Sequence, residues 1–357
     1  MKIAQISPLY ESVPPKLYGG TERVVSYLTE ELVNQGHQVT LFASGDSVTK
    51  ARLIAHTNES LRLGQTFDPL AHHIVQMQEV IDRVDEFDIL HFHTDYLHFP
   101  FTLRNPTPHL TTLHGRLDLP EHQYIYKKFG CQPLVSISNS QRTPIGRVNW
   151  QKTIYHGLPL DLYQMGEGKG DYVVFMGRIS QEKRPDRAIE IARLAGVKIK
   201  IAAKIDKVDQ AYFDSKISHL IEQPHVEFIG EVGDEAKGEI LRNAKALLFP
   251  IDWPEPFGMV MIEAMACGTP IIAYNHGSIP EVIDRGENGF IVNNIEEAVK
   301  ALENIELLDR NKIRKVFEQR FSIQVMAKHY LDVYENLINK GKPIHPLFGK
   351  SNTKLAG

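Results

Sequence analysis

The feature that most constrains the fold of this chain is an alternation of short β-rich runs with helical stretches, which occurs twice along the sequence. Strands separated by helices indicate βαβ units and a parallel sheet. In the first half we predict strands at Lys2–Ser7, Gln38–Ala43, Ile89–His93, His109–Leu113, Pro133–Ile137 and Thr153–Tyr155. In the second half we predict strands at Tyr172–Met176, Lys198–Ala202, Val226–Ile229, Ala246–Phe249, Pro270–Ala273 and Gly289–Val292. The expected fold is α/β, with two Rossmann-like domains whose parallel sheets face each other across a cleft.

A segment rich in glycine and proline separates the two halves. Leu158–Gly170 carries no periodic apolar face, so we predict an interdomain linker there. The expected domains are residues 1–160 and residues 161–321. Residues 322–339 form an amphipathic pattern behind a serine N-cap, which predicts a helix that returns to cover the first domain. Residues 340–357 have little to bury and are expected to be a flexible tail.

Composition excludes several classes of protein. Hydrophobic residues make up 42% of the chain and charged residues 24%, as in an ordinary globular protein. Lys and Arg total 40 against 44 Asp and Glu, so we expect no nucleic-acid partner and at most peripheral membrane contact. Cys131 and Cys267 are far apart and lack metal-ligand spacing, so neither a disulfide framework nor a metal site is expected. Without a signal-like first segment or an apolar run of roughly 20 residues, a cytoplasmic location is expected.

Charged residues of the second half occur where a nucleotide diphosphate would bind. Arg178 and Lys183 follow its first strand, and a forked donor beside a point charge suits adjacent phosphates, although solvated loop cations are the alternative. Glu255 precedes a predicted helix, and Glu263 lies more than one turn inside it. Two such carboxylates can accept hydrogen bonds from both ends of a nucleotide sugar, while the amides of 257–260 receive its phosphates. Otherwise Glu255 caps the helix and Glu263 is solvated.

The first half offers its own polar groups at predicted strand ends. The Gly19-Gly20 pair lets backbone amides approach a phosphate, or is a plain turn. His114 ends a strand and is expected to contact the sugar or the transferring centre. His93 and Asp95 are expected to contact the acceptor, with a metal site as the less favoured alternative. Arg142 opens a helix where a polyol or anion can dock, and a structural capping role for this segment is equally consistent.

Five motifs give the chain a family resemblance over nearly its whole length. They are Gly19-Gly20-Thr21-Glu22, Leu113-His114-Gly115, Gly177-Arg178-Ile179-Ser180-Gln181-Glu182-Lys183, the glutamates at 255 and 263, and His276-Gly277-Ser278-Ile279-Pro280-Glu281. Together they resemble the family 4 retaining glycosyltransferases, which have the two-domain GT-B fold. The resemblance implies that 1–160 is the acceptor-side domain and 161–321 binds the nucleotide sugar.

The resemblance also implies roles for individual residues. The catalytic group would be His114, Arg178, Lys183 and Glu255. The donor-binding group would be Gly19, Gly20, Phe257, Gly258, Met259, Val260 and Glu263. From their positions after strands of the first half, and not from the resemblance, we expect Glu22, His93, Asp95 and Arg142 to bind the acceptor.

The resemblance implies transfer of a hexose-type sugar from a nucleotide diphosphate sugar, most commonly a UDP-sugar, to a hydroxyl of a small-molecule, glycan or lipid acceptor. No Asp-x-Asp metal motif is obvious, so neither a metal nor another cofactor is expected. One departure from the family pattern is the run Ile251-Asp252-Trp253, whose Asp252 and Trp253 either read donor or acceptor identity or form a plain surface loop. The alternatives are a nucleotide-sugar epimerase of the same double fold and a carbohydrate-binding protein with a decayed site.

Overall fold

The first half of the chain forms one parallel sheet. The computed structural model describes residues 1–16, 19–64 and 66–340. Within them the strands are β1 (Lys2–Ile6), β2 (Gln38–Ala43), β3 (Arg52–Ala55), β4 (Ile89–Phe92), β5 (His109–Leu113), β6 (Leu134–Ser136) and β7 (Trp150–Thr153). Their order is β3-β2-β1-β4-β5-β6-β7, and all neighbouring pairs are parallel. The order reverses between β1 and β4, and open α/β sheets bind ligands at such a switch point.

The second half repeats this plan. Its strands are β8 (Tyr172–Arg178), β9 (Lys198–Lys204), β10 (Val226–Phe228), β11 (Leu247–Phe249), β12 (Ile271–Tyr274) and β13 (Gly289–Val292). They are all parallel and follow the order β10-β9-β8-β11-β12-β13. The switch point therefore lies between β8 and β11. Central strands of a parallel sheet are covered on both faces, and Val173, Val174 and Phe175 of β8 are at most 1% exposed.

Helices connect the strands of both sheets. In the first half they are α1 (Gly20–Asn34), α2 (Pro69–Ile81), α3 (Phe99–Thr102), α4 (Pro120–Lys128) and α5 (Asn139–Arg142). In the second half they are α6 (Pro185–Leu194), α7 (Gln210–Tyr212), α8 (Ser218–Ile221), α9 (Asp234–Asn243), α10 (Met259–Ala266), α11 (Ile279–Val282), α12 (Ile295–Glu303), α13 (Arg310–Arg320) and α14 (Ile323–Asn339). Several start where the local sequence favours it: Asp68 caps α2, Pro185 opens α6 and Asn294 caps α12.

The last helix, α14, packs on the first sheet rather than the second. Its buried face includes Met326 and Tyr330, which share a core with Ile3 of β1 and Leu28 of α1. The crossing is held by backbone hydrogen bonds on either side of Leu158, whose N–H donates to Phe321 and whose carbonyl accepts from Ile323. The chain thus leaves the first half near Leu158 and returns to it near Ser322, and the two crossings lie side by side.

The strands of the structure differ from the predicted ones in three places. β3 was not predicted, because its four residues form a half-exposed edge strand without clear alternation. β7 covers Trp150–Thr153 rather than Thr153–Tyr155, since this edge strand is partly exposed and its residues are mostly polar. β8 continues to Arg178, so this arginine ends the strand instead of lying in the loop that follows.

Two further expectations concern the chain's surroundings and its end. No helix among the described residues has both the length and the apolar character needed to cross a membrane. The predicted tail from residue 340 to residue 357 falls, except for Lys340, outside the described residues.

Candidate active site

A cleft of about 590 Å³ lies between the two sheets, next to both switch points. Its walls come from the loops after β1, β5, β8 and β11, as expected for parallel sheets that face each other. The structure brings most of the predicted site residues to this cleft: Gly19, Gly20, Glu22, His114, Arg178, Lys183, Glu255, Phe257, Gly258, Met259, Val260 and Glu263. Three predicted acceptor residues, His93, Asp95 and Arg142, are not among the lining residues.

An ion pair between Lys183 and Glu255 forms the centre of the second-half wall. The indole N–H of Trp253 donates to the same carboxylate oxygen, Oε2 of Glu255, at 2.8 Å. The ammonium group of Lys183 also lies over two aromatic rings, 5.5 Å from that of Phe249 and 5.2 Å from that of Trp253. Glu255 is 8% exposed, so this carboxylate is oriented by two donors in a largely buried setting.

The loop that carries Glu255 is supported by the segment after β12. The N–H of Ser278 donates to the carbonyl of Glu255 at 3.0 Å, and the Ser278 hydroxyl donates to the carbonyl of Phe257 at 2.9 Å. Gly277 has φ of 59° and lies so close that a Cβ there would be 2.3 Å from the Glu255 nitrogen. The His276-Gly277-Ser278 motif therefore shapes the loop, and α10 begins directly after it at Met259.

Arg178 ends β8 among acidic partners. Its guanidinium contacts Glu182 at 3.2 Å and Asp209 at 3.3 Å. A residue that the sequence analysis missed, Arg116, lies on the opposite wall and reaches Glu182 at 3.6 Å. Its guanidinium is also 5.7 Å from the centre of the Trp253 ring. Arg116 follows the predicted Leu113-His114-Gly115 motif, and this position was the available signal.

Glu263 faces the cleft from inside α10. It is 4% exposed and accepts a hydrogen bond at 2.9 Å from the ammonium group of Lys237 on α9. Lys237 also lines the cleft and lies 3.5 Å from Asp234. Asp234 in turn pairs with Arg23 of α1, which belongs to the first half. This chain of charges connects the wall that holds Glu263 to the opposite domain.

Glu22 lines the cleft from the first turn of α1 and is 5% exposed. Burial raises the pKa of its carboxyl to about 7, because water no longer stabilises the charged form. Nearby, Arg62 pairs with Glu11 at 2.9 Å and also lines the cleft. Arg62 lies on a loop without a recognisable motif, which is why the sequence did not indicate it.

His114 lines the cleft as predicted, but His93 lies behind it. The two rings are joined by a 2.8 Å contact between His93 Nδ1 and His114 Nε2, and His93 is only 2% exposed. His93 therefore lies behind the cleft wall in this structure, and its predicted contact with the acceptor stays a prediction. Burial lowers the pKa of His114 to about 3, so its imidazole is neutral at physiological pH.

His156 is a further cleft residue, and no motif in the sequence indicates a role for it. Its ring stacks on that of His114, with centroids 5.3 Å apart and planes 15° apart, and also meets the Phe257 ring at 5.0 Å. It lines the cleft while being 4% exposed. Its position after the last strand of the first sheet was the only sequence signal, since no spacing relates it to His114.

The remaining predicted polar residues lie to the side of the cleft. Asp95 is an exposed residue with φ of 49°. The protein atoms around its carboxyl nevertheless raise the pKa of this group to about 6 by desolvation. Arg142 donates to the Ser136 hydroxyl at 2.7 Å and stacks over Trp150 at 4.9 Å. Asp252 accepts from Arg184 and Arg187 at 3.0 and 2.9 Å, away from the cleft lining.

The polar lining of the cleft thus consists of carboxylate and cationic side chains carried mostly by loops at strand ends. Within residues 1–16, 19–64 and 66–340, no group of three or more His, Cys, Asp or Glu residues is arranged to hold a metal ion. The N-terminus of α10, which no side chain caps, begins beside the Lys183–Glu255 pair. The arrangement can bind an anionic ligand and its hydroxyl groups.

Comparison with solved structures identifies the class to which this architecture belongs. A sucrose-phosphate synthase of Thermosynechococcus elongatus superposes with a TM-score of 0.76 at 17% identity, covering 96% of this chain and 100% of that one. The Anabaena protein HepE, solved with UDP and glucose, gives a TM-score of 0.71 at 20% identity, covering 94% and 100%. The two facing parallel sheets are therefore a GT-B fold, as expected.

Family models specify the chain further. The model described as "Glycosyl transferases group 1" matches residues 165–320, and the model described as "Glycosyltransferase Family 4" matches residues 18–145. The chain belongs to the family 4 glycosyltransferases of the GT-B fold. A curated relative, the phosphatidyl-myo-inositol mannosyltransferase of Mycobacterium leprae, is 25% identical over 96% of this chain and 99% of its own. The family predicted from the motifs is confirmed, and nothing in these comparisons supports the epimerase alternative.

Proposed function

We propose that this glycosyltransferase moves a hexose-type sugar from a UDP-sugar to a hydroxyl acceptor with retention of anomeric configuration and without a metal ion. One observation carries the proposal: Arg178, Lys183, Glu255 and Glu263 converge with the N-terminus of α10 on one cleft wall. The proposed donor domain is residues 161–321, the acceptor domain is residues 1–160, and residues 322–339 return to the latter.

The cations of the cleft suit a departing diphosphate. When the bond between sugar and phosphate breaks, negative charge grows on the phosphate and positive charge on the sugar carbon. Arg178 ends β8, and Lys183 lies in the loop that follows it. There the charges of both side chains stabilise the leaving group in place of a metal ion. The backbone amides of Met259 and Val260 at the start of α10 face the same ligand. Gly19 and Gly20, on the opposite wall, allow backbone approach to the phosphates.

The carboxylates suit the two ends of the donor. Glu255 is oriented by Lys183 and Trp253, and we assign it to hydroxyls of the transferred sugar. Glu263 lies farther along α10, and we assign it to the ribose. The choice of UDP rests on HepE, a protein of the same fold that was solved with UDP and glucose. Among the residues proposed to bind the acceptor, Glu22 lines the cleft. Asp95 and Arg142 remain proposed contacts beside the cleft.

The decisive experiment is transfer by single variants of the two cations. Arg178→Ala and Lys183→Ala should each lower turnover by about 10²- to 10³-fold, because each removes one charge that is preorganised for the transition state. Arg184→Ala is the matched control, since this arginine of the same loop pairs with Asp186 and Asp252 outside the cleft. Near-normal turnover in both cleft variants would contradict the diphosphate assignment.

The two glutamates should separate binding from transfer. Glu263→Gln is expected to weaken UDP binding in calorimetry, whereas Glu255→Gln should lower turnover with little change in UDP affinity. A thermal-shift screen of UDP-, GDP- and ADP-sugars identifies the donor, since a ligand at 100 times its Kd stabilises by about 2.7 kcal/mol. A larger shift with GDP- or ADP-sugars would overturn the choice of uridine. Product analysis with donor alone excludes epimerisation if the sugar is unchanged.

A further inference from the structure

A buried line of hydrogen bonds reaches His114 from behind the cleft. His114 Nε2 lies 2.8 Å from His93 Nδ1, and His93 Nε2 lies 2.8 Å from Gln5 Oε1. The amide nitrogen of Gln5 donates to the Tyr334 hydroxyl on α14 at 3.1 Å. Gln5, His93 and Tyr334 are each at most 2% exposed. The line therefore connects a cleft residue to the last helix through the first sheet, where water does not compete.

The same line continues past Tyr334. Its hydroxyl is 2.7 Å from His91 Nδ1, and His91 Nε2 is 2.8 Å from the Thr112 hydroxyl. Thr112 is in turn 2.9 Å from the Tyr330 hydroxyl. Every one of these groups can donate to the next one away from the cleft, so the whole line has a single consistent direction.

The orientation of the Gln5 amide decides that direction. Its Oε1 only accepts, so His93 must carry its proton on Nε2. Burial lowers the pKa of His93 well below its ordinary value, so the ring is neutral and its Nδ1 has no proton. His93 Nδ1 therefore accepts, and the proton between the two rings belongs to His114 Nε2. A neutral His114 then has a bare Nδ1.

His114 Nδ1 is the open end of the line. It is shielded from water and has no hydrogen-bond partner within the described parts of the chain. The ring is therefore held through its other nitrogen, Nε2, which contacts His93. The His114 side chain lines the cleft that we assign to the donor sugar.

We propose that Gln5 and His93 are positioning residues that hold His114 as the Nε2-protonated tautomer and fix the orientation of its imidazole in the cleft wall. The tautomer stands on the geometry alone, and its effect on transfer rests on the proposed function. Neither Gln5 nor His93 lines the cleft, so both act through His114.

The tautomer is measured directly by nitrogen NMR of the full chain labelled at histidine, without any substrate. The expected result is a proton on Nε2 and none on Nδ1 for both His114 and His93 at pH 7.5. Gln5→Met removes the acceptor of His93 Nε2–H, so the preference for one direction should be lost and part of the His114 population should carry its proton on Nδ1. A proton on Nδ1 of His114 in the unaltered chain, or no change in Gln5→Met, would overturn the positioning role.

Kinetics separate positioning from folding. Gln5→Met should lower kcat at least about 10-fold with a smaller change in KM, because a wrong histidine tautomer mainly harms the transition state. The matched control is Gln132→Met: Gln132 is also buried, and its Oε1 lies 2.6 Å from His109 Nε2, a histidine outside the cleft. It should leave kcat and the His114 tautomer unchanged. Equal losses of kcat in both variants would show a structural effect only.

Absence of transfer from every nucleotide sugar would contradict the proposed function, and the NMR result would still decide the positioning role.

Discussion

At the scale of single residues, the site depends on contacts between segments that are distant in sequence. Glu255 is the clearest case, because Lys183, Trp253 and Ser278 each bond to its side chain or backbone. The motif around Gly277 was noticed only as part of a resemblance. Its physical role became visible when the structure showed that the glycine lies against the backbone of the Glu255 loop.

Substitution at Gly277 tests this role. Gly277→Ala adds a methyl group that would meet the Glu255 nitrogen and oxygen at 2.3 and 2.4 Å, at a left-handed φ. We expect a loss of unfolding free energy of at least about 2 kcal/mol, measured by urea titration, together with reduced transfer. The matched control is Gly286→Ala, which has φ of 78° but open space around the added methyl, and should cost about 1 kcal/mol without loss of transfer. Equal costs would show that the close approach is unimportant.

At the scale of elements, the strands that position the site are central ones, and the crossing helix α14 joins the two halves. The central strands are apolar and buried, which made them visible as β-rich runs. The edge strands β3 and β7 carry polar and half-exposed residues, so their pattern was weak or displaced. The stripe on α14 predicted a helix, and the structure shows its apolar face packed on β1 and α1.

Packing of α14 is tested at Met326, which is 1% exposed beside the crossing point. Met326→Ala should lower the unfolding free energy by about 2 to 5 kcal/mol, because the space left behind cannot close fully. Lys328→Ala, on the exposed face of the same helix, should change it by less than about 0.5 kcal/mol. Urea titration followed by tryptophan fluorescence and circular dichroism gives both values. A small effect at Met326 would mean that α14 does not support the first sheet.

At the scale of the whole molecule, contacts across the cleft couple the two domains. Arg23 pairs with Asp234, and Glu281 accepts from the backbone N–H groups of Asn139 and Ser140 at 2.7 Å each. Several histidines of the described residues also have a lowered pKa because burial disfavours their charged form. The described histidines with lowered pKa are His37, His73, His91, His93, His98, His109, His114, His156 and His329.

These histidines predict that the fold is sensitive to mild acid. A histidine with a lowered folded-state pKa binds a proton more readily when unfolded, so stability falls as the pH drops below about 6.5. Glu11, Glu22 and Asp95 have raised pKa values and act in the opposite sense, but they are fewer than the histidines. The unfolding free energy from urea titrations should therefore be lower at pH 5.5 than at pH 7.5 by at least about 1.4 kcal/mol. Equal or greater stability at pH 5.5 would contradict this account.

The sequence by itself determined what depends on neighbouring residues. The spacing of apolar residues predicted the strands and helices of the doubly repeated α/β fold. It could do so because the buried face of each element requires apolar residues at the repeat of that element. Charges and glycines after strand ends led to Arg178, Lys183, Glu255 and Glu263, since carboxyl ends of parallel strands meet at one edge. The motifs were specific enough to indicate the family.

Only the tertiary structure decided which of several similar residues face the cleft. His93, His114 and His156 are all histidines near strand ends, yet one is buried behind another and the third stacks on it. Side-chain direction across a sheet and hydrogen-bond partners from distant segments determine this order, and local patterns contain neither. The same holds for Gln5, an inconspicuous residue of β1 until its amide was found between His93 and Tyr334.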